Sequence, residues 1–275
     1  MPSAFLFVHI GLDPVAFWLG PVAIHWYGIG YVVAISLGLT VAKRYALTRG
    51  ISEDQFWAVA LWAVAIGFAG GRLYYVVQND PGSYLAHPFR ILQVWNGGMA
   101  FFGAITATIA TVAFFAWRRH WSLGAMLDTA ALFALVGQPI GRLGNVVNGD
   151  IIGPPTHLPW GFVYTNANSF APSSSVAYHP AAIYEIIANL VLIAILLPLR
   201  NRLRTGWLVA GYLAGYCLTQ LVVFHWRSEP IIGLGLRQAQ WTSIVLLLAD
   251  AAFVAAMLGR GMGPWRPTAP AKAAP

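Results

Sequence analysis

Seven stretches of about twenty mostly apolar residues recur along this chain, and they restrict its fold more than any other feature. They fall at roughly 22–42, 56–77, 97–117, 122–140, 181–199, 207–225 and 240–258. A helix of that length spans the hydrocarbon core of a bilayer, where every backbone N–H and C=O must find its partner inside the protein. Charged residues make up only 9% of the chain, against about 25% in soluble domains. The pattern predicts an all-α polytopic membrane protein with seven transmembrane helices, and it excludes the layered soluble folds. The single cysteine, Cys217, rules out an intrachain disulfide framework and reads as a small buried residue within an apolar run. Residues 1–20 lack a basic stretch and contain Asp13 and Pro14, so no cleavable signal peptide is expected. No internal repeat is present to suggest an inverted-repeat transporter.

The basic residues orient the runs. Lys43, Arg44 and Arg49 follow the first, Arg118 and Arg119 the third, Arg200, Arg202 and Arg204 the fifth, and Arg260, Arg266 and Lys272 the last. These eleven share one side; the other holds Arg90, Arg142, Arg227 and Arg237, while Arg72 lies within the second run. Short cytoplasmic loops carry the excess of Lys and Arg. The N-terminus is therefore expected outside and the C-terminus in the cytoplasm. The net charge of +7 is then a topology signal, which removes nucleic acid as a partner. The outer loops 78–96 and 141–180 are long and are expected to build a small extracytoplasmic cap on a transmembrane domain covering 1–258. The Pro/Ala-rich tail, 259–275, is expected to be disordered.

Arg142, Arg227 and Arg237 stand on the outer side, against the charge bias. An anionic ligand is one reason for such placement; an ion pair with Asp150 or Glu229 is the other. The stretch Gly141-Arg142-Leu143-Gly144-Asn145-Val146-Val147-Asn148-Gly149-Asp150 is the most informative. Polar groups at that depth are costly unless they line a polar cavity. The guanidinium fork suits phosphate oxygens, and glycine lets backbone approach a ligand. The segment reads as a phosphate-recognising site at a membrane surface.

Other constellations each carry a simpler reading. His25-Trp26-Tyr27-Gly28 opens the first run, where Trp and Tyr commonly anchor a helix at the interface. Gly67 and Gly71, four residues apart, suit close helix packing. Arg72 beside them either bonds loop carbonyls or binds a ligand. Trp95-Asn96-Gly97-Gly98-Met99 brings glycines to the outer end of the third run, for an anion or for helix packing. His179-Pro180 starts the fifth run, and Glu185 within it needs a cation from among Arg72, Arg142 and Arg227. His225-Trp226-Arg227 places an arginine where a lipid phosphate lies. Asp128 reads as an N-terminal helix charge. Asp250 has no partner that the sequence names.

In order, these segments resemble the phosphatidylglycerol–prolipoprotein diacylglyceryl transferase family over nearly the whole chain. The matching motifs are His-Trp-Tyr-Gly at 25–28, Gly-Gly-Arg at 70–72, Trp-Asn-Gly-Gly-Met at 95–99, the 141–150 signature and His-Pro…Tyr-Glu at 179–185. The resemblance implies a bacterial cell inner (cytoplasmic) membrane enzyme without a cofactor or metal. Its partners are phosphatidylglycerol and prolipoprotein signal peptides with a lipobox cysteine. The family transfers the diacylglyceryl group to that thiol, forming a thioether and releasing glycerol phosphate. A catalytically altered paralogue that binds anionic phospholipid is the alternative. By motif position, Arg142, Arg227 and Tyr27 are expected to be catalytic. Arg142, Asn145, Asn148, Gly153, His25, Arg72, Gly97, Gly98, His179 and Glu185 are expected to bind substrate. The chain departs from the family pattern at Phe102 (His or Tyr), Val146 (Phe), Asp150 (Glu), Ala182 (Gln) and Phe224 (Glu). Phe102 removes a polar group proposed as base; His25 and His179 are the remaining candidates.

Overall fold

The computed structural model describes residues 7–79, 81–94 and 98–265, without the side chains of Phe101 and Phe102. The chain is a multi-pass helical membrane protein. Six helices among the described residues are long and apolar enough to cross a bilayer. They are α1 (Trp26–Thr48), α2 (Glu53–Gln78), α5 (Leu123–Asn148), α6 (Ala181–Leu199), α7 (Trp207–Val223, extended by a 3₁₀ turn to Trp226) and α8 (Gln238–Gly259). A further apolar helix, α4 (Phe101–Arg118), is shorter, and α3 (Pro81–Ala86) is a single short piece followed by a 3₁₀ turn at Pro88–Leu92. The strands are short: β1 (Val8–Ile10), β2 (Val15–Leu19), β3 (Val22–His25), β4 (Phe162–Tyr164), β5 (Ile231–Gly233) and β6 (Leu236–Arg237).

Three boundaries differ from the sequence reading. Residues 22–25 are not helical; Val22–His25 pair antiparallel with Val15–Leu19, and α1 starts only at Trp26. The outer loop does not begin at 141, because α5 continues through Asn148. The drop in hydropathy there marks a polar face, not a helix end. The tail does not fray at 259: Arg204 N–H donates to the Pro264 carbonyl, and Trp207 Nε1 donates to the Met262 carbonyl at 3.0 Å. The remainder of the predicted tail, 266–275, lies outside the described residues.

Two compact units make up the chain: residues up to Val41 with those from Ala130 onward, and Ala42–Thr129. In the second unit α2 packs on α4 through small residues. A Cβ at Gly67 would collide with Thr108, and one at Gly70 or Gly103 with the facing helix backbone. Such close approach is what small-residue spacing permits in a membrane, where dispersion replaces the hydrophobic effect between helices. Asp128 is not a first-turn charge. It is fully buried in α5 and accepts from the Tyr45 hydroxyl at 2.9 Å, which itself accepts from Arg49 Nη2 at 2.6 Å.

In the first unit, β1 pairs parallel with β4, with Val8 opposite Phe162 and Ile10 opposite Tyr164. Tyr178 bridges to both Pro155 and Phe162. Ile152, Tyr164 and Tyr178 form a small apolar core with Ile10, Phe162, Ala171 and Val176 against it. This layer, built from the polar segment after α5 and the chain before β2, carries the loops that frame the candidate site.

Candidate functional site

The site residues of the first unit meet at a buried carboxylate. Glu185, in the second turn of α6, has no exposed side-chain surface. Its Oε1 accepts from Arg227 Nη1 at 3.0 Å. Its Oε2 lies 2.6 Å from Arg142 Nε on α5, a charge contact without an aligned hydrogen bond. One carboxylate therefore fixes two guanidiniums. An uncompensated charge at such a place costs several kcal/mol, so the glutamate is what allows two arginines to be buried together. Of the three cations that Glu185 had available in the sequence, α5 and the chain after α7 supply the two it uses.

Each arginine is held further. Arg227 follows the 3₁₀ turn in extended conformation, 8% exposed, its guanidinium carbon 5.0 Å from the centre of the Phe224 ring. Its Nε reaches both Glu229 oxygens, at 2.8 and 3.0 Å, and its Nη2 also pairs with Glu229. Arg237 Nε donates to the Glu229 carbonyl at 2.9 Å. Glu229 keeps 38% of its side chain exposed. Burial raises its pKa, but the hydrogen bonds and charge of Arg227 outweigh this and hold it below the usual carboxylate value. Arg142 keeps 28% of its side chain exposed. Among the described residues its guanidinium also meets Asn145 Oδ1, at 3.4 Å, and the Tyr216 hydroxyl.

Behind Arg142 the polar face of α5 continues. Asn145, one turn on, is buried and donates through Nδ2 to both Asp150 carboxylate oxygens at 3.1 Å. Burial pushes the Asp150 carboxyl above its ordinary value, against those hydrogen bonds and the pull of Arg142 and Arg227. Asn148 Oδ1 is buried without a hydrogen bond among the described residues. Gly149, at φ +72°, ends the helix in the left-handed conformation that favours glycine. Gly144 lets α1 come close: a Cβ there would sit 2.8 Å from Tyr27 Cα. The Tyr27 hydroxyl donates to Tyr31 at 2.9 Å.

Gly153 is a second close approach. Its N–H donates to the His179 carbonyl at 2.8 Å, and a Cβ would strike the Trp226 carbonyl and lie 2.7 Å from His179 Cβ. His179 Nδ1 lies 3.1 Å from the Tyr184 hydroxyl, which also accepts from Trp160 Nε1 at 2.9 Å. Burial lowers the His179 pKa below its ordinary value. Gly153 and His179 thus brace the backbone that ends at Arg227.

Other expected residues are not partners in this cluster. His25 closes β3 and makes no side-chain hydrogen bond among the described residues. Arg72 and Gly98 belong to the second unit, where Arg72 is buried and donates to the carbonyls of Arg90 (2.7 Å), Ile91 (2.8 Å) and Gly98 (2.8 Å). Gly97 lies outside the described residues, as does the side chain of Phe102. Two partners went unseen in the sequence: Tyr216 and Tyr31. Neither belongs to a short motif, and only helix packing brings them in.

The fold and the cluster define a multi-pass membrane protein that fixes two arginines on one buried glutamate near the end of its helices. The chain belongs to the prolipoprotein diacylglyceryl transferase family: the family's profile, described by that name, matches residues 14–256. Relatives called phosphatidylglycerol–prolipoprotein diacylglyceryl transferase occur in several bacteria. The protein of Agrobacterium fabrum is 33% identical over 256 residues, covering 88% of this chain and 89% of its own. That of Bordetella avium is 35% identical, covering 86% and 91%, and that of Methylibium petroleiphilum 33%, covering 90% and 97%.

Proposed function

We propose that this chain transfers the diacylglyceryl group of phosphatidylglycerol to the lipobox cysteine thiol of prolipoproteins, with Arg142 and Arg227 gripping the departing phosphate. The observation that carries this reading is the pair of guanidiniums on Glu185, with 28% of the Arg142 side chain still exposed. Together Arg142, Arg227 and Glu185 carry one net positive charge. Glu229, paired with Arg227, balances it from the rim. A phosphodiester that replaces Glu229 on Arg227 leaves the sum unchanged, so the exchange demands no new buried charge.

The substitution is redox-neutral and needs no group carrier. A thiolate attacks the glycerol carbon, the S–C bond forms as the C–O bond to phosphate breaks, and glycerol phosphate leaves with the electron pair. The thiol proton passes to solvent or to a nearby base. With a pKa of about 8.5, roughly 3% of a free thiol is ionised at pH 7. Supplying the rest is worth at most about 30-fold, or about 2 kcal/mol. Stabilising the leaving phosphate in a water-poor site is worth more, since one preorganised donor typically contributes about a hundred- to a thousandfold. The arginines therefore outrank any base. Tyr27 and Asn145 set the wall and floor beside Arg142. Asn148, Gly153 and His179 hold the surrounding loops, and this reading takes His25 and Gly97 as further substrate contacts. Arg72 and Gly98 act by fixing the loop they share.

The membrane arrangement belongs to the same reading. The six long helices and α4 make seven spans in a bacterial inner membrane, the N-terminus outside and the basic loops in the cytoplasm. Complementation tests the function. The gene should rescue a strain depleted of its own transferase, with thioether-modified lipoprotein detected by mass spectrometry. Failure of a well-expressed, folded protein to do so would reject it.

A further inference from the structure

His179 is one of the two histidines left as a candidate base, and its neighbours decide what its ring can do. Its Nδ1 lies 3.1 Å from the hydroxyl of Tyr184, in the first turn of α6. That hydroxyl takes a hydrogen bond from Trp160 Nε1, at 2.9 Å, from a residue just before β4. These contacts have a direction. An indole N–H can only donate, so the Tyr184 oxygen is the acceptor towards Trp160. The Tyr184 proton then needs an acceptor of its own. Among the described residues, the one within hydrogen-bond distance is His179 Nδ1. The opposite arrangement, with Nδ1–H donating, would place two donors on one phenol oxygen and leave the phenol proton without a partner. Nδ1 therefore carries no proton, and the ring proton sits on Nε2. Burial, which holds the His179 pKa below its ordinary value, favours the same neutral ring.

The trio stands beside the arginine site. Tyr184 directly precedes Glu185, and its ring meets that of Trp226, the neighbour of Arg227, edge-on at 6.0 Å. A Cβ on Gly153 would touch both His179 Cβ and the Trp226 carbonyl, so the histidine lies against the backbone that leads to Arg227. His179 is half-buried, and its Nε2 makes no hydrogen bond among the described residues.

We propose that Trp160 and Tyr184 are positioning residues that lock His179 as an Nε2–H donor, and that this N–H bonds the lipid phosphate as charge grows on it. No proton leaves the ring. With Nδ1 taken by Tyr184 and Nε2 protonated, neither nitrogen has a lone pair for the thiol proton, so His179 is not the base. The phosphate contact rests on the transferase reading; the locked ring does not.

Nitrogen-15 NMR of the full chain in detergent, with labelled histidine, reads the ring directly, because protonated and bare ring nitrogens resonate far apart. It is run at about pH 8, where an ordinary histidine is already neutral. The His179 signals are identified by their loss in His179→Gln. Wild type should show a bare Nδ1 and a protonated Nε2, with no second tautomer. Trp160→Phe frees the Tyr184 oxygen to accept from Nδ1–H, so the other tautomer should appear. Trp160 is 50% exposed, so this variant should melt near the wild-type temperature. A proton on Nδ1 in wild type, or a Trp160→Phe ring indistinguishable from wild type, would overturn the lock. Adding phosphatidylglycerol should shift Nε2 and leave Nδ1 bare; an unmoved Nε2 would overturn the contact. Kinetics with phosphatidylglycerol and a lipobox peptide separate donor from base. Glutamine carries an amide N–H near the place of Nε2–H, whereas glutamate offers only an acceptor. His179→Gln should keep kcat within about tenfold, while His179→Glu should lose about a hundredfold or more, the usual loss for one donor to a developing charge. Trp160→Phe should lower kcat and leave KM unchanged. His179→Glu at least as active as His179→Gln would make the residue a base and overturn its role as donor. A protein that transfers nothing, yet shows the locked ring and the Nε2 shift, would fail the transferase reading alone.

Discussion

Replacing Glu185 by Gln removes one charge and almost no volume, and it isolates what that charge does. The carboxylate is fully buried, with Arg142 Nε at 2.6 Å and Arg227 Nη1 at 3.0 Å. Removing one partner of a buried ion pair costs about 3–5 kcal/mol, because the other charge is left uncompensated. Two features place this case at the low end. Arg142 is partly exposed and can be hydrated, and Arg227 retains Glu229. The expected loss is about 3 kcal/mol, a shift of about 6–12 °C in melting temperature for a chain of this size. Intrinsic fluorescence during thermal unfolding in detergent measures it. Glu229→Gln is the control: its carboxylate is 38% exposed, so screening limits the loss to about 1 kcal/mol or less. The Arg142→Gln/Glu185→Gln double variant should be less than additive, as expected for residues in contact. If Glu185→Gln melts within about 2 °C of wild type, or no lower than Glu229→Gln, then Glu185 is not what holds the two arginines.

Arg142→Ala should leave a folded protein whose thioether formation falls about a hundred- to a thousandfold, measured with a lipobox peptide and phosphatidylglycerol; full activity would remove Arg142 from the site. Gly153→Ala should lower activity about tenfold or more, because its Cβ would press on the Trp226 carbonyl and displace Arg227. Gly141→Ala, with nothing within 4 Å, should be close to wild type, and equal effects at the two glycines would contradict the packing argument. The Glu229 carboxyl is held below its ordinary value by Arg227, so its contribution to stability is present above the unfolded pKa and fades as pH falls through the lower folded one. Glu229→Gln should flatten that acid limb of a melting-temperature profile; an unchanged limb would place the titration elsewhere.

Much of the helical frame was legible because bilayer thickness sets helix length and leaves the apolar run as a direct imprint. The ends were not. Hydropathy falls at Gly141, yet α5 keeps its helical hydrogen bonds to Asn148, because its polar side chains turn onto Glu185, Asp150 and Asn145 and not toward lipid. Val22–His25 is as apolar as the helix it precedes, and only pairing with Val15–Leu19 makes it a strand. At the site, the sequence required a cation for Glu185 and offered three. Topology assigns Arg142 and Arg227, while Arg72 is spent on loop carbonyls in the second unit. Tyr216 left no signal, because a tyrosine within an apolar helix is unremarkable until its neighbour is known. Asp128 lies in the second turn of α5 and its partner Tyr45 is 83 residues away, a separation over which no local pattern reveals the pair.

The most direct measurement is a cryo-electron microscopy map of the protein with phosphatidylglycerol bound. The phosphate should lie between the Arg142 and Arg227 guanidiniums, with Glu229 swung toward solvent and Glu185 still beneath both arginines. A headgroup resolved elsewhere, with Arg227 still closed on Glu229 and Arg142 out of reach of any phosphate oxygen, would mean that these arginines serve the fold and not the lipid.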